Sequence, residues 1–297
     1  MDSKNFIIFS TADWDNPFWT NKQHVASRLA KRGYKVLYIE SLGLRTPTVK
    51  AQDLTRILKR ILSFFKGVRK VEENLWVYSP LVIPLHRFRL IRTINHFLLS
   101  SIIKFYKWKL SLRDPIVWTY NPMVLELMQS LTPKKMVYHS VDDLSAAPGL
   151  DKQSILKEEN LLLMSMDHVF CTSLKIFNHC NSITQKSTHY FSNVVDYEHF
   201  VKARTHQPMP KDLKNIPSPR IGFIGAVSEY KVDLELIIRT AKEKPHLHWI
   251  LIGKVGEGQP GTSIDKLTRI ANIHLLGPKA YKDLPQYLHH FDCLLYT

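Results

Sequence analysis

Residues 220–241 read RIGFIGAVSEYKVDLELIIRTA. An apolar run closes on Gly225, a polar turn follows, and from Leu234 the apolar residues recur at helical spacing. That order is how a parallel strand feeds a helix. Strand-like runs recur at 248–258, HWILIGKVGEG, at 272–278, NIHLLGP, and at 291–297, FDCLLYT. Strand–helix units in succession build a parallel sheet. The reading reaches Thr297 in or just after its fourth strand, so a second lobe that is incomplete is expected.

The first half has the same grammar. Apolar strands are expected at 6–10, 36–39, 75–78, 116–119, 136–139, 168–171 and 188–191. Helices are expected at 21–32, where Gly33 stops the pattern, after Asn121-Pro122, at 152–166, and after a cap at Thr172 or Ser173. This predicts a mostly parallel sheet with helices on both faces. Residues 201–218 are polar, hold Pro208, Pro210 and Pro217, and keep no period; they read as a linker. The expected organisation is an α/β chain of two Rossmann-like lobes: an N-terminal domain at 1–200, a linker at 201–218, and a partial C-terminal domain at 219–297. A cleft between two such sheets suits a two-substrate transfer.

Composition limits the function classes. The chain has 297 residues, 44% hydrophobic and 23% charged, an ordinary soluble balance. No run reaches the roughly 18 apolar residues of a membrane span. The first residues, MDSKNFIIFS, lack the basic head and long apolar core of a signal peptide. Cys171, Cys180 and Cys293 form no CxxC pair, which fits a reducing cytoplasm.

The net charge of +15 requires a partner or a reason. Much of it lies in two stretches. Residues 54–70, LTRILKRILSFFKGVRK, read as an amphipathic helix carrying Arg56, Lys59, Arg60, Lys66, Arg69 and Lys70. Residues 86–110 interleave Arg87, Arg89, Arg92, Lys104, Lys107 and Lys109 with Phe88, Phe97, Phe105, Tyr106 and Trp108. Such helices can lie in the headgroup layer of an anionic membrane, or pack on a sheet with a solvated basic face. No helix-turn-helix, RNP or zinc-finger pattern supports nucleic acid.

Ligands of parallel sheets sit beyond the carboxyl ends of the strands. The first strand runs into a long loop at 10–24, STADWDNPFWTNKQH, offering Asp13, Trp14, Asp15, Asn16, Lys22 and Gln23. It lacks GxGxxG, so it is no dinucleotide fingerprint. Polar groups beside tryptophans suit an acceptor sugar; equally, Trp14 and Trp19 can pack the loop. Residues 138–149, YHSVDDLSAAPG, place His139, Asp142 and Asp143 past a strand end. These can act as acid/base groups or orient a hydroxyl, or simply cap a helix and fix a turn. No third ligand stands at a spacing that suits a metal. In the second lobe, Gly225 with Lys231, and Gly253 with Lys254, form two glycine-bearing strand ends. Backbone N–H groups and lysines there would hold a diphosphate.

In order, the stretches 13–45, 137–149 (VYHSVDDLSAAPG), 167–173 (DHVFCTS), 192–200 (SNVVDYEHF), 221–237, 249–254, 272–277 and 291–297 resemble the GT-B glycosyltransferases that assemble bacterial surface polysaccharides, including those of teichuronic acid. The resemblance implies a nucleotide diphosphate sugar donor on the C-terminal lobe and a polysaccharide or lipid-linked acceptor on the N-terminal lobe, without a metal or other cofactor. Gly225, Lys231 and Gly253 match positions near the donor diphosphate. Asn193 and Asp196 match an Asn-Gly-Val-Asp turn, with Val194 in place of its glycine. In the family a Glu, seven residues and a second Glu follow the strand that 291–297 resembles. They are absent from this sequence, so the alternative expectation is a non-catalytic GT-B homologue acting as a binding or interaction protein.

Transfer builds negative charge on the leaving diphosphate, which Lys231 and backbone N–H groups would offset. Asp13, Asp15 and His139 are the candidates for a base on the acceptor hydroxyl. The expected location is the cytoplasm, peripheral on the inner face of the plasma membrane.

Overall fold

A computed structural model describes residues 5–16, 19–42, 67–82, 89–146, 151–184, 187–193, 195–257, 259 and 261–295. The chain divides into two compact units, Met1–Val194 and Val195–Thr297.

The first unit is built on an eight-stranded sheet. Its strands are β1 (Asn5–Phe9), β2 (Lys35–Ile39), β3 (Val68–Glu72), β4 (Leu75–Tyr78), β5 (Ile116–Thr119), β6 (Lys135–Ser140), β7 (His168–Cys171) and β8 (Ser187–Tyr190), in the order β3-β4-β2-β1-β5-β6-β7-β8. All neighbours pair in parallel except β3 with β4. The helices are α1 (Asn21–Lys31), α2 (Arg89–Lys109), α3 (Leu125–Ser130), α4 (Lys152–Ser165) and α5 (Leu174–Thr184).

The residues of β1 explain the layering. All five are buried, as a central parallel strand requires. Successive side chains point to opposite faces. Ile7 and Phe9 pack with Leu99 and Ile103 of α2, Met128 of α3 and Leu162 of α4. Phe6 and Ile8 pack with Ala26 and Ala30 of α1. Helix α1 begins with a capping box between Thr20 and Gln23, and Gly33, at φ +84°, ends it.

One sequence expectation is corrected here. The stretch 54–70 does not continue as a helix to its end: Arg69 and Lys70 belong to β3, an edge strand paired antiparallel with β4. Asn74 turns the chain between them at φ +61°, a conformation asparagine tolerates. The remainder of that basic stretch, with Arg56, Lys59, Arg60 and Lys66, lies outside the described residues, as does Arg87.

The second unit has a four-stranded parallel sheet: β9 (Arg220–Ile224), β10 (His248–Ile252), β11 (Ile273–Gly277) and β12 (Cys293–Leu294), in the order β11-β10-β9-β12. Its helices are α6 (Tyr197–Phe200), α7 (Leu234–Glu243), α8 (Asp265–Thr268) and α9 (Leu284–His289). Ile237, Ile238 and Ala241 of α7 bury one face of the sheet with Trp249 and Leu251. Leu284 and Tyr287 of α9 cover the other face with Ile250 and Ile252, and Leu213 and Ile216 pack into the same cluster. Within 201–218, residues Val201–Arg204 form a 3-10 turn.

Candidate functional site

The carboxyl ends of β1, β2, β5 and β6 carry most of the functional groups expected of the first unit. After β1 the chain turns through residues 10–16, and side chains from elsewhere hold its backbone. Ser10 Oγ accepts from Ala12 N–H at 2.9 Å and lies 2.7 Å from Tyr38 Oη. Tyr38 Oη donates to Ala12 O at 2.9 Å, and Gln23 Nε2 donates to Asp13 O at 3.1 Å. Gln23, expected to touch substrate, therefore braces this loop and caps α1. Trp14 is buried against Tyr38, ring centroids 5.2 Å apart, and Trp19 against Trp14 at 4.8 Å. The aromatic pair packs the loop.

Glu40, at the end of β2, is the residue that sequence reasoning overlooked. It is buried, it accepts the Trp14 N–H at 2.8 Å, and Ser79 Oγ donates to its other oxygen. Arg69 of β3 reaches Glu40 at 3.4 Å and grips Asp15 through both terminal nitrogens, at 3.2 and 2.6 Å. Asp15 is thus engaged by an arginine fork. Asp13 sits exposed on the braced loop. Asn16 is exposed beside it and donates its N–H to Asp13 O at 3.3 Å.

Lys22, Asp142 and His139 come together around Tyr120. Lys22 lies on the first turn of α1, its side chain 9% exposed, with Nζ 3.7 Å from an Asp142 oxygen and 5.8 Å from the Tyr120 ring centre. His139 is 9% exposed and rests on the same ring at 4.9 Å, with Trp118 and Phe170 on its other sides. Burial, then the charge of Lys22, pulls its pKa down to about 4, so the ring is neutral at ordinary pH. Its Nδ1 is buried without a hydrogen-bond partner. Asp143 stands apart in role: it accepts from the Ser145 hydroxyl at 2.6 Å and the Ser145 N–H at 3.2 Å, closing a turn, and these bonds hold its carboxyl below the usual range. Asn193 accepts from Asn21 Nδ2 at 2.6 Å, at the start of α1.

In the second unit Gly225 and Gly253 end adjacent strands and touch through their backbones. A Cβ on Gly253, at φ +152°, would lie 1.7 Å from Gly225 O, so only glycine fits. The two loops then run together: Val227 N–H donates to Lys254 O at 3.1 Å, and Gly256 N–H to Val227 O at 2.9 Å. Lys231 and Lys254 ride on this paired ledge. Ser228, between Gly225 and Lys231 in the first loop, is fully buried and its hydroxyl has no partner. Helix α7 starts later than a glycine-to-helix motif would place it, and Asp233 caps it by accepting the Leu236 N–H at 2.9 Å. A cleft of about 670 Å³ opens beside Lys231 between α7 and α8, but Gly225 and Gly253 do not line it.

No protein-family profile matches the chain. In sequence it is 25% identical over 178 residues to TuaH of Bacillus subtilis, a protein named as a teichuronic acid biosynthesis glycosyltransferase. The match spans 56% of this chain and 44% of TuaH, less than half of the relative's length. In structure it resembles a glycosyltransferase of Rickettsia africae, with TM-score 0.63 and 16% identity, over 99% of this chain and 73% of that one. It also resembles Anabaena HepE, whose structure holds UDP-glucose, with TM-score 0.60 and 15% identity, over 98% and 73%. Two Rossmann-like units, in an order shared with these enzymes along nearly the whole chain, make this a protein of the GT-B glycosyltransferase fold.

Proposed function

We propose that the chain is a glycosyltransferase that takes its sugar from a uridine diphosphate sugar. The observation that carries this is the ledge of the second unit, where Gly225 and Gly253 lie backbone to backbone with Lys231 and Lys254 on the adjoining loops. Ligands of parallel sheets gather at such strand ends. Two lysines beside strand ends that have no side chain to block a close approach suit a diphosphate whose charge grows as the sugar leaves. HepE, of the same fold, binds UDP-glucose, and TuaH is a relative in sequence.

The first unit then takes the acceptor, a polysaccharide or a lipid-linked sugar. Asp13 is the base we assign to the acceptor hydroxyl. It is exposed on a loop whose backbone is braced at four points, whereas Asp15 is gripped by Arg69 and His139 is enclosed. Lys231, with Lys254 on the neighbouring loop, offsets the leaving-group charge, and no step is assigned to a metal. Calorimetry with UDP-glucose tests the donor. Binding is expected in the wild type and a loss of at least tenfold in Lys231→Ala; equal binding by both proteins would overturn the assignment.

We also assign α2 to an anionic membrane surface. Ile94, Leu98, Phe105 and Trp108, at successive spacings of four, seven and three, share its exposed side, with Phe97 beside them; Phe97 and Trp108 are 69% and 75% exposed. Lys104 and Lys109 flank this stripe in exposed positions. Lys107 instead donates to Leu131 O at 2.7 Å. Among the described residues no helix is long and apolar enough to cross a membrane.

A further inference from the structure

The first unit holds a cavity of about 330 Å³ lined by Gly67, Tyr78, Ser101, Ile102, Phe105 and Tyr106. It lies at the margin of the sheet, where Tyr78 ends β4 and Gly67 leads into the edge strand β3. Ser101, Ile102, Phe105 and Tyr106 share one side of α2, since residues four apart on a helix stack one above the other. Gly67 stands at φ +64°, and a Cβ there would sit 3.0 Å from Tyr106 Oη, so glycine keeps that wall open. An engineered apolar cavity of about 150 Å³ stays dry and takes up benzene. This one is larger, and among the described residues that line it none carries a charge.

Exposure falls along a run of aromatic rings that leads inward from the stripe on α2. Trp108, 75% exposed, lies 6.1 Å from Phe105, which is 50% exposed. Phe105 meets Tyr106 at 5.3 Å, and Tyr106 meets Tyr78 at 5.6 Å. Tyr78 is 1% exposed, and its hydroxyl has no hydrogen-bond partner. Burial, then Tyr106, pushes the Tyr78 pKa up to about 12, so the phenol keeps its proton at ordinary pH and remains a donor. A buried donor without an acceptor is destabilising, and a ligand that brings an acceptor removes the penalty.

We propose that this cavity takes an acyl chain from a bilayer lipid, its hydrocarbon along Ile102, Phe105 and Tyr106 and its ester carbonyl oxygen accepting from Tyr78 Oη. This rests on the reading of α2 as the helix that meets the membrane. The chemistry of the walls selects the occupant. A phosphate or carboxylate would enter a space with no cation in its described lining. A sugar would bring more hydroxyls than Tyr78, Tyr106 and Ser101 can pair. An acyl ester brings hydrocarbon, no charge and one carbonyl. The site therefore serves attachment and stands apart from the groups assigned to the acceptor and the donor. It also gives attachment a component that salt does not screen, because neither partner is charged.

The test compares two anionic vesicles that differ in one group: diester phosphatidylglycerol, and its diether counterpart, which has no carbonyl. At limiting lipid, flotation should recover wild type better with the diester by about 2–10-fold, the range of one neutral hydrogen bond. Tyr78→Phe keeps the ring and removes only the hydroxyl, so it should be recovered equally with both. In the absence of lipid it should melt no lower than wild type, because the lost hydroxyl had no partner. Methyl octanoate tests the cavity without a membrane. NMR of the ester should show saturable binding to wild type, weaker binding to Tyr78→Phe, and none to Ser101→Trp, whose indole fills the cavity from an exposed position. Melting temperature checks that Ser101→Trp is folded. The proposal is overturned if methyl octanoate does not bind, if Ser101→Trp binds it like wild type, or if Tyr78→Phe keeps the full preference for the diester. Recovery of wild type by both vesicles alike, with no binding of methyl octanoate, would sink the cavity and leave the membrane reading of α2 standing. Binding of methyl octanoate with no recovery by either vesicle would sink the membrane reading, and the bilayer as the source of the chain with it, leaving a site for soluble acyl esters.

Discussion

An imidazole enclosed by Trp118, Tyr120 and Phe170 takes up a proton poorly, and acid should reveal this. In the unfolded chain His139 protonates near 6.5, in the folded chain near 4. Between those values the unfolded state binds more protons, so stability is complete above pH 6.5 and declines as pH falls toward 4. The full loss is about 3 kcal/mol. Denaturation of His139→Gln at pH 7 and pH 4.5 should show a smaller difference in midpoint than wild type; an unchanged difference would locate the acid sensitivity elsewhere. Gly253→Ala forces a Cβ into Gly225 O and should cost at least ~3 kcal/mol, whereas Gly261→Ala meets nothing within 4 Å and should fall within ~0.5 kcal/mol of wild type. The strand-end rule pointed to Lys22 and Gly253, which lie in or just after loops at strand ends; His139, expected past a strand end, lies inside β6 and pairs with Phe170 of β7. The rule missed Glu40, which directly follows β2. A lone glutamate has no pattern, and its partners Trp14, Ser79 and Arg69 lie 26, 39 and 29 positions away.

At the level of elements, the braced loop and strands β10 and β11 make separate predictions. Glu40→Ala leaves the Trp14 N–H and the Ser79 hydroxyl buried without their acceptor, which should cost about 2–3 kcal/mol. Trp14 and Trp19 report on the loop, so their emission should shift to the red in this variant; unchanged emission would mean that the aromatic stacking alone holds it. On β10 and β11, His248 Nδ1 and His274 Nε2 share one proton at 3.1 Å. Burial, and then His248, lowers the pKa of His274 below the ordinary 6.5. The sign is again that of a neutral folded ring: this contribution is present above 6.5 and is lost as acid charges His274. Hydrogen exchange at β11 should therefore accelerate in mild acid, and His274→Phe should remove that response. Parallel strands were legible as continuous apolar runs, and helices by their period. Edge strand β3 was not, since Val68–Glu72 continues a helical pattern and is defined as a strand only by its pairing with β4.

For the molecule as a whole, a charge of +15 makes surface binding a matter of salt. Flotation with phosphatidylglycerol vesicles should recover the protein at low ionic strength and lose it at about 1 M salt, where the Debye length is about 3 Å. Phe97→Ser with Trp108→Ser should weaken recovery at every salt concentration, because it removes the apolar part; equal recovery from phosphatidylcholine would sink the assignment. Composition asked for an anionic partner or another reason for the charge. It could not say where that charge acts, since Arg69 and Lys107, both counted in basic stretches, are turned to Asp15 and Leu131 within the protein.

Strands β3 and β4 are joined by a two-residue turn, Glu73 and Asn74, while the parallel neighbours described in the same sheet must each wait for a crossover segment to fold back. Short hairpins close in about 1–10 μs, well ahead of contacts between distant parts of a chain. Arg69 travels on that hairpin. The guanidinium that later grips Asp15 is thus on hand at the sheet's margin while the central strands are still assembling, ready for the loop that Asp13 occupies as soon as β1 docks.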